Sequence, residues 1–416
     1  MQVARRIALA AACILLLPAV ASGAPNPGGN ETKIVSVPPP SGKFFGFNEG
    51  MLNGAHGYTP AEHVALAWWA GANVVRTGLD WNFIEPTQDG DTEEHWQPAT
   101  ELYDAAVAAG LKPVFILGFA PEWARDPGGY ARDCDWWCPF VQFPPSRSMD
   151  GEWAEFVSEA ARRFPKAMFE IWNEPNFVGF WESGPDPQRY AELLAIAYDA
   201  IKARNRTIKV LGGALSIQEQ TDQNGMAMGE FLTQAYDAEP SIRTKMDFLS
   251  FHPFPYSATL WSKQNQDTLF ARAFASLRAA RNAAGDSTRK LFITELGVST
   301  GPPESLTEAQ QADTLTRAYR RTMTMGDVRG IVMHRMIEPA DWTQDPWELG
   351  TGWLRFGPFA PQPRPVYCTF SKMAGRNYGH CPASSSASTR SRGVDPAPRS
   401  AGSSNTSLHP RHARPE

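Results

Sequence analysis

What most constrains this chain is an alternation. From Ser41 onward a short apolar run gives way to a longer amphipathic one, and the pattern recurs eight times. The apolar runs are Phe44–Asn48, Asn73–Leu79, Pro113–Phe119, Ala167–Trp172, Ile208–Ala214, Met246–His252, Lys290–Glu295 and Gly330–Met336. Most are nearly continuous and rich in β-branched or aromatic residues, as strands covered on both faces must be. Between them, Ala61–Ala70, Thr100–Ala109, Glu152–Arg163, Arg189–Ala203, Met226–Ala235, Leu269–Ala284 and Glu308–Met325 carry apolar residues at three- and four-residue spacing. A final helix is expected over Pro365–Met373. Thr59-Pro60 and Asp186-Pro187 read as helix starts, Gly110 and Gly285 as helix ends.

Eight strand–helix pairs predict an α/β fold, a single (β/α)8 TIM barrel with long βα loops over residues 42–381. An open doubly wound sheet is the rival. It would want a Gly-rich phosphate turn after the first strand, and Phe47-Asn48-Glu49-Gly50-Met51 does not supply one.

The ends differ from the middle. Residues 1–21 read as a secretory signal: Arg5 and Arg6, an apolar stretch from Ile7 to Val20, then Ala19-Val20-Ala21 as a small-residue cleavage site. Residues 22–41 are a Pro/Gly-rich linker. Residues 382–416, rich in Ser, Pro and Arg, hold too little apolar surface to order themselves. The chain is therefore expected to be secreted, with no membrane partner after cleavage. Setting aside two arginines in the leader, and five arginines against two acids in the tail, takes the formal net charge from −5 to −10. A domain that acidic repels nucleic acid and anionic lipid.

Five cysteines become four when Cys13 leaves with the signal, and an even count in an exported chain reads as disulfides. Cys134–Cys138 would staple a loop and Cys368–Cys381 would tie down the end of the domain. Zinc is the rival, but no His pair sits at ligand spacing near either couple.

In such barrels chemistry sits where strands run into their following loops. Two strand ends carry most of the information. The fourth reads Phe169-Glu170-Ile171-Trp172-Asn173-Glu174-Pro175 and the seventh Leu291-Phe292-Ile293-Thr294-Glu295-Leu296-Gly297. Strands four and seven lie across a barrel of eight, so Glu174 and Glu295 would face one another. Two opposed carboxyl groups suit cleavage of a glycosidic bond: one protonates the leaving oxygen while the other attacks or activates water. Their surroundings must push the two pKa values apart.

Trp-Asn-Glu-Pro after strand four and Thr-Glu-Leu-Gly at strand seven resemble the clan A retaining glycoside hydrolases, in particular the cellulase-type family 5 and the β-xylosidase-type family 39. The resemblance runs from Phe44 to Met373 and includes Val75-Arg76, the Trp81…Ile84-Glu85-Pro86 run and Phe251-His252-Pro253. It implies that Glu174 is the acid/base and Glu295 the nucleophile. Asn173 would hydrogen-bond the sugar 2-hydroxyl, Arg76 would lie beside Glu295 and keep it ionised, and His252 would line the sugar subsite. The chain departs from the family at Phe254, where members often carry a Tyr that touches the nucleophile; Tyr256 is the candidate replacement.

Fourteen tryptophans are many for 416 residues. Trp81, Trp123, Trp136, Trp137, Trp172, Trp181, Trp342 and Trp353 fall at or after strand ends, where indoles can stack on sugar C–H faces. Core packing claims about half of such residues; Trp68 and Trp69, inside the first helix, are core candidates. Trp342 is expected to floor the reactive subsite, and Trp81 is expected among the substrate-binding residues.

These observations predict a monomeric β-glycoside hydrolase acting on a carbohydrate without metal or cofactor. A barrel that binds carbohydrate without catalysis, and a transglycosylase using the same two carboxylates, are the alternatives. Glycan identity and endo or exo action stay open.

Overall fold

A computed structural model of the chain describes residues 38–48, 50, 57–88, 92–125, 142–218, 220–254, 263–302, 304–339, 343, 345–356 and 361–382. Eight parallel strands close a barrel in sequence order: β1 (Phe44–Asn48), β2 (Val74–Asp80), β3 (Lys112–Gly118), β4 (Met168–Ile171), β5 (Lys209–Ser216), β6 (Phe248–His252), β7 (Lys290–Leu296) and β8 (Val328–His334). Closure is made by β1 pairing with β8 from Phe44↔Gly330 to Asn48↔His334. Each predicted apolar run is a barrel strand, within two residues at either end.

The helices are α1 (Pro60–Trp69), α2 (Trp81–Ile84), α3 (Glu93–Ala108), α4 (Asp150–Arg163), α5 (Pro187–Arg204), α6 (Met228–Ala238), α7 (Lys263–Ala283), α8 (Glu308–Thr324), α9 (Pro346–Thr351) and α10 (Pro365–Met373). Capping decides several boundaries. Thr59 and Glu62 form a capping box at α1 with Pro60 in its first turn, and Thr307 with Gln310 does the same at α8. Asp186 caps α5 by accepting from the Arg189 amide. Gly110 and Gly285, just past α3 and α7, take φ of 74° and 79°, the left-handed geometry that glycine adopts without strain. One boundary differs: α3 begins at Glu93 rather than Thr100 and carries Pro98 inside it. Burial of Trp96 holds that first turn in the helix despite the proline.

Val74, Val114, Met168, Leu211, Phe248, Phe292 and Val332, one from each of β2 to β8, form an apolar cluster with Phe44 of β1 packed against it. Side chains alternate along a strand with a period of two. Residues two or four places further on therefore point into the barrel nearer its mouth: Arg76, Glu170, Thr294 and His334 at two, Asn48 and His252 at four. The apolar floor fixes the parity of the polar residues above it.

Cys368 and Cys381 are disulfide-bonded as expected. Of the segment from Cys381 onward only Cys381 and Pro382 are described. Among the described residues no helix is long and apolar enough to cross a membrane. The leader, nearly all of the linker and tail, Cys134–Cys138, Trp136, Trp137, Tyr256 and Trp342 lie outside the described residues.

Candidate active site

Arg76 organises the mouth of the barrel. It is fully buried, and its guanidinium donates through Nε to Glu170 Oε2 (2.6 Å) and through Nη1 to Glu295 Oε1 (2.6 Å) and Asn48 Oδ1 (2.7 Å). Nη2 donates to Asn173 Oδ1 at 3.0 Å. A guanidinium in so dry a place needs several acceptors, and four side chains from β1, β4, the end of β4 and β7 converge to satisfy it. Arg76 thus stands beside Glu295, as the sequence resemblance implied.

Glu295 reaches the interior by a local irregularity. Parity puts Thr294 on the inner face of β7 and would turn Glu295 outward. The β7–β8 register, however, shifts between Ile293 and Leu296, with one extra residue on β7. Such a bulge re-aims a side chain, and here both Thr294 and Glu295 reach the polar network. Burial pushes the Glu295 carboxyl up, but charge from His252, Arg76 and His334, with the Arg76 hydrogen bond, overcomes this and holds it at about 2.

Glu174 arrives by a different device. β4 ends at Ile171, and Trp172 and Glu174 then take φ of 68° and 44°. Left-handed backbone at two non-glycine residues costs of order 1–3 kcal/mol each and must be held from outside. The Glu174 amide donates to the Ala214 carbonyl of β5 at 3.0 Å. Fully buried Asn176 clamps the following turn, donating to the Ser216 and Met226 carbonyls and accepting from the Ser216 amide. Pro175 fits between them as a strand stop.

His252 joins the two acids. Its Nδ1 lies 2.8 Å from Glu174 Oε1 and its Nε2 lies 3.1 Å from Thr294 Oγ1 and 4.0 Å from Glu295 Oε1. Thr294 in turn donates to Glu170 Oε1 at 2.8 Å. His252 has no exposed surface, so it supports the carboxylates from beneath rather than lining a sugar subsite. That corrects its expected place.

Trp81 needs a larger correction. It is fully buried, stacks on Phe156 at 5.6 Å, meets Trp123 edge-on at 5.4 Å and donates from Nε1 to Glu85. Its indole faces are taken by the core. Trp172, Trp181 and Trp353 are likewise buried, whereas Trp68 and Trp69, expected in the core, are half-buried. Strand-end position alone does not distinguish a platform from a core residue, because α-helices cover these positions too.

Several residues escaped the sequence reading. Glu170 and Thr294 complete the network inside the barrel, and the parity of their strands was the signal that could have found them. His334 and Arg335, the residues at the mouth of the eighth strand, are joined there by Glu348, with Arg335 Nη2 2.9 Å from Glu348 Oε2. No motif marks Glu348, which the short helix α9 delivers.

Residues 99–320 match the family model described as Glycosyl hydrolases family 39, more than half of the chain. The chain belongs to family 39. A curated β-xylosidase from Caldicellulosiruptor saccharolyticus is 26% identical over 185 residues, 41% of this chain and 33% of its own length. The family 39 chain thus spans about a third of that relative. Among solved structures, a family 39 glycoside hydrolase from Bacteroides cellulosilyticus WH2 aligns with a TM-score of 0.53 at 21% identity, covering 80% of this chain and 64% of that one. A family 39 β-xylosidase from Caulobacter crescentus aligns with a TM-score of 0.57 at 18% identity, covering 80% and 71%. At such identities the structures speak for the fold. The expectation of a clan A glycoside hydrolase is met, and family 39 is the branch.

Proposed function

We propose that this family 39 chain is a retaining β-glycoside hydrolase in which Glu295 is the nucleophile and Glu174 the acid/base. The observation that carries this is the unequal treatment of two carboxyl groups in one network. Glu295 is locked to a guanidinium and held ionised at about 2, whereas the partner of Glu174 is the His252 imidazole. A single imidazole lies between them, 2.8 Å from Glu174 Oε1 and 4.0 Å from Glu295 Oε1, so both carboxyl groups border one site, and direct attack by Glu295 is the reading the clan A resemblance supports.

In the first step a Glu295 oxygen bonds to the anomeric carbon as the bond to the leaving oxygen breaks, and Glu174 gives that oxygen its proton. In the second, water attacks the anomeric carbon, Glu174 takes a proton from it and the ester to Glu295 breaks. Asn173, with Oδ1 committed to Arg76, keeps its amide N–H groups for the sugar 2-hydroxyl. The substrate is a β-linked glycan or oligosaccharide. A β-xyloside is the first to test, because the curated relative is a β-xylosidase. The chain is exported through residues 1–21 and acts as a monomer outside the cytoplasm.

The test is Glu295→Gln assayed on a panel of aryl β-glycosides (xyloside, glucoside, mannoside). Loss of turnover on every sugar the parent cleaves, with a circular dichroism spectrum that matches the folded parent at the assay temperature, is expected. Parent-like turnover in the variant would end the proposal.

A further inference from the structure

Arg76 takes only one oxygen of Glu295. The other, Oε2, faces His334 at the end of β8: Nδ1 is 3.4 Å away, and among the described residues no other hydrogen-bond partner satisfies that buried nitrogen. The opposite nitrogen, Nε2, lies 3.4 Å from Glu348 Oε2, and Glu348 is itself paired with Arg335. Two rings fix the imidazole plane. Phe254 packs edge-on against it at 5.4 Å and Trp347 lies nearly parallel at 6.1 Å. Phe254 has no polar atom, and among the described residues on this side of the barrel the imidazole is the donor that faces Oε2.

We propose that His334, anchored from behind by Glu348, is a positioning residue that holds Glu295 through Oε2 while Arg76 holds Oε1. The inference rests on the reading of Glu295 as nucleophile. A carboxylate gripped at one oxygen still rotates about its terminal bond; gripped at both, it presents a fixed lone pair to the anomeric carbon. At 3.4 Å the contact is long for a hydrogen bond, and catalytic hydrogen bonds commonly tighten only once substrate is bound. Arg335 Nη2 also lies 3.5 Å from Nε2, so Nε2 meets a donor as well as the Glu348 carboxylate, while Nδ1 faces the Glu295 oxygen to which it can donate. The imidazole is also among the groups that keep the Glu295 carboxyl ionised. The charged groups around it are Glu295 on β7, Glu348 on α9 and neighbouring Arg335, with Arg76 and His252 on the far side of Glu295.

The full chain and its His334→Ala, His334→Asn and Glu348→Gln variants are compared. The probe is a dinitrophenyl 2-deoxy-2-fluoro-β-xyloside, or the matching glucoside or mannoside if the aryl panel selects that sugar. Trapping rate, labelled peptide, the pH profile of kcat/KM and the melting temperature are read. The label is expected on Glu295 throughout. Trapping by His334→Ala should slow roughly ten- to a hundredfold, the scale of one hydrogen bond to a charged group. His334→Asn, whose amide stands near the place of Nδ1, should recover part of the rate. In both, the acid limb should move upward by about half a pH unit or more, because one of the groups that lower the Glu295 carboxyl is gone. Glu348→Gln should shift both readouts the same way by less. Wild-type trapping and an unmoved acid limb in His334→Ala would overturn the proposal, as would a loss matched by unfolding that Asn does not relieve. A label on another residue of the parent overturns the nucleophile assignment itself, and this inference with it.

Discussion

Arg76→Met keeps most of the stem of the side chain and removes its charge, leaving Glu170 and Glu295 facing one another in a nearly dry barrel. Both ion pairs are 2.6 Å long, and Arg76 and Glu170 have no exposed surface. Breaking a buried pair in this way costs about 3–5 kcal/mol, chiefly the penalty of the stranded anion. Glu295 gives a second route to that scale. Its carboxyl is held at about 2 against an ordinary 4.5, a depression worth about 3 kcal/mol, which burial opposes and His252, Arg76 and His334 together supply. The sign follows from the depression: this stability is fully present above about pH 4.5 and is lost as pH falls toward 2. Thermal unfolding from pH 3 to pH 7 should show the variant several degrees below the parent at pH 7, with the gap narrowing as pH drops. Glu170→Gln in the Arg76→Met background should restore part of the loss, a coupling of at least about 1 kcal/mol in the double-mutant cycle. Equal losses at both pH extremes, with no coupling, would mean that Arg76 matters for its volume and that the charge argument is wrong.

Two further outcomes follow from the same geometry. Glu174→Ala should lower kcat/KM by about 10²–10⁴ on a glycoside with a poor leaving group and much less on a dinitrophenyl one, and added azide should restore turnover as the β-glycosyl azide; equal losses on both substrates without azide rescue would remove Glu174 from its role. Cys381→Ser should cost about 2–3 kcal/mol in thermal unfolding and leave activity at 25 °C intact, and the parent in strong reductant should melt like the variant; a variant as stable as the oxidised parent refutes this.

The barrel was legible because a buried parallel strand advertises itself: both faces are covered, so the run is apolar throughout, and the helix that follows must switch to a 3.6-residue period. Caps such as Thr59-Pro60 carry their own local chemistry and needed no tertiary context. α3 was the exception, since Pro98 reads as a stop and only the burial of Trp96 shows that tertiary packing wins. The tryptophans failed for the converse reason. An indole at a strand end is equally at home on a sugar and under a helix, and which face is free depends on α3 and α4, whose approach no local pattern encodes. Trp81 went to Phe156 of α4.

The same distinction explains why the carboxylates were found while Glu170, Thr294 and Glu348 were not. Glu174 and Glu295 sit at ends of apolar strands, so position alone singled them out. Their partners depend on where strands deviate. Uninterrupted parity would place Arg76, Glu170, Thr294 and His334 inward and would send Glu295 outward, beyond reach of the guanidinium. The extra residue between Ile293 and Leu296 reverses that outcome, as the left-handed pair Trp172 and Glu174 does at β4. Both irregularities cost backbone energy, and both are held by contacts far away in sequence: Arg76 for Glu295, the Ala214 carbonyl for Glu174. A regular barrel of the same composition would bury its acids among helices. What converts a packed barrel into one with two facing carboxylates is the pair of places where the strand geometry is broken and then held.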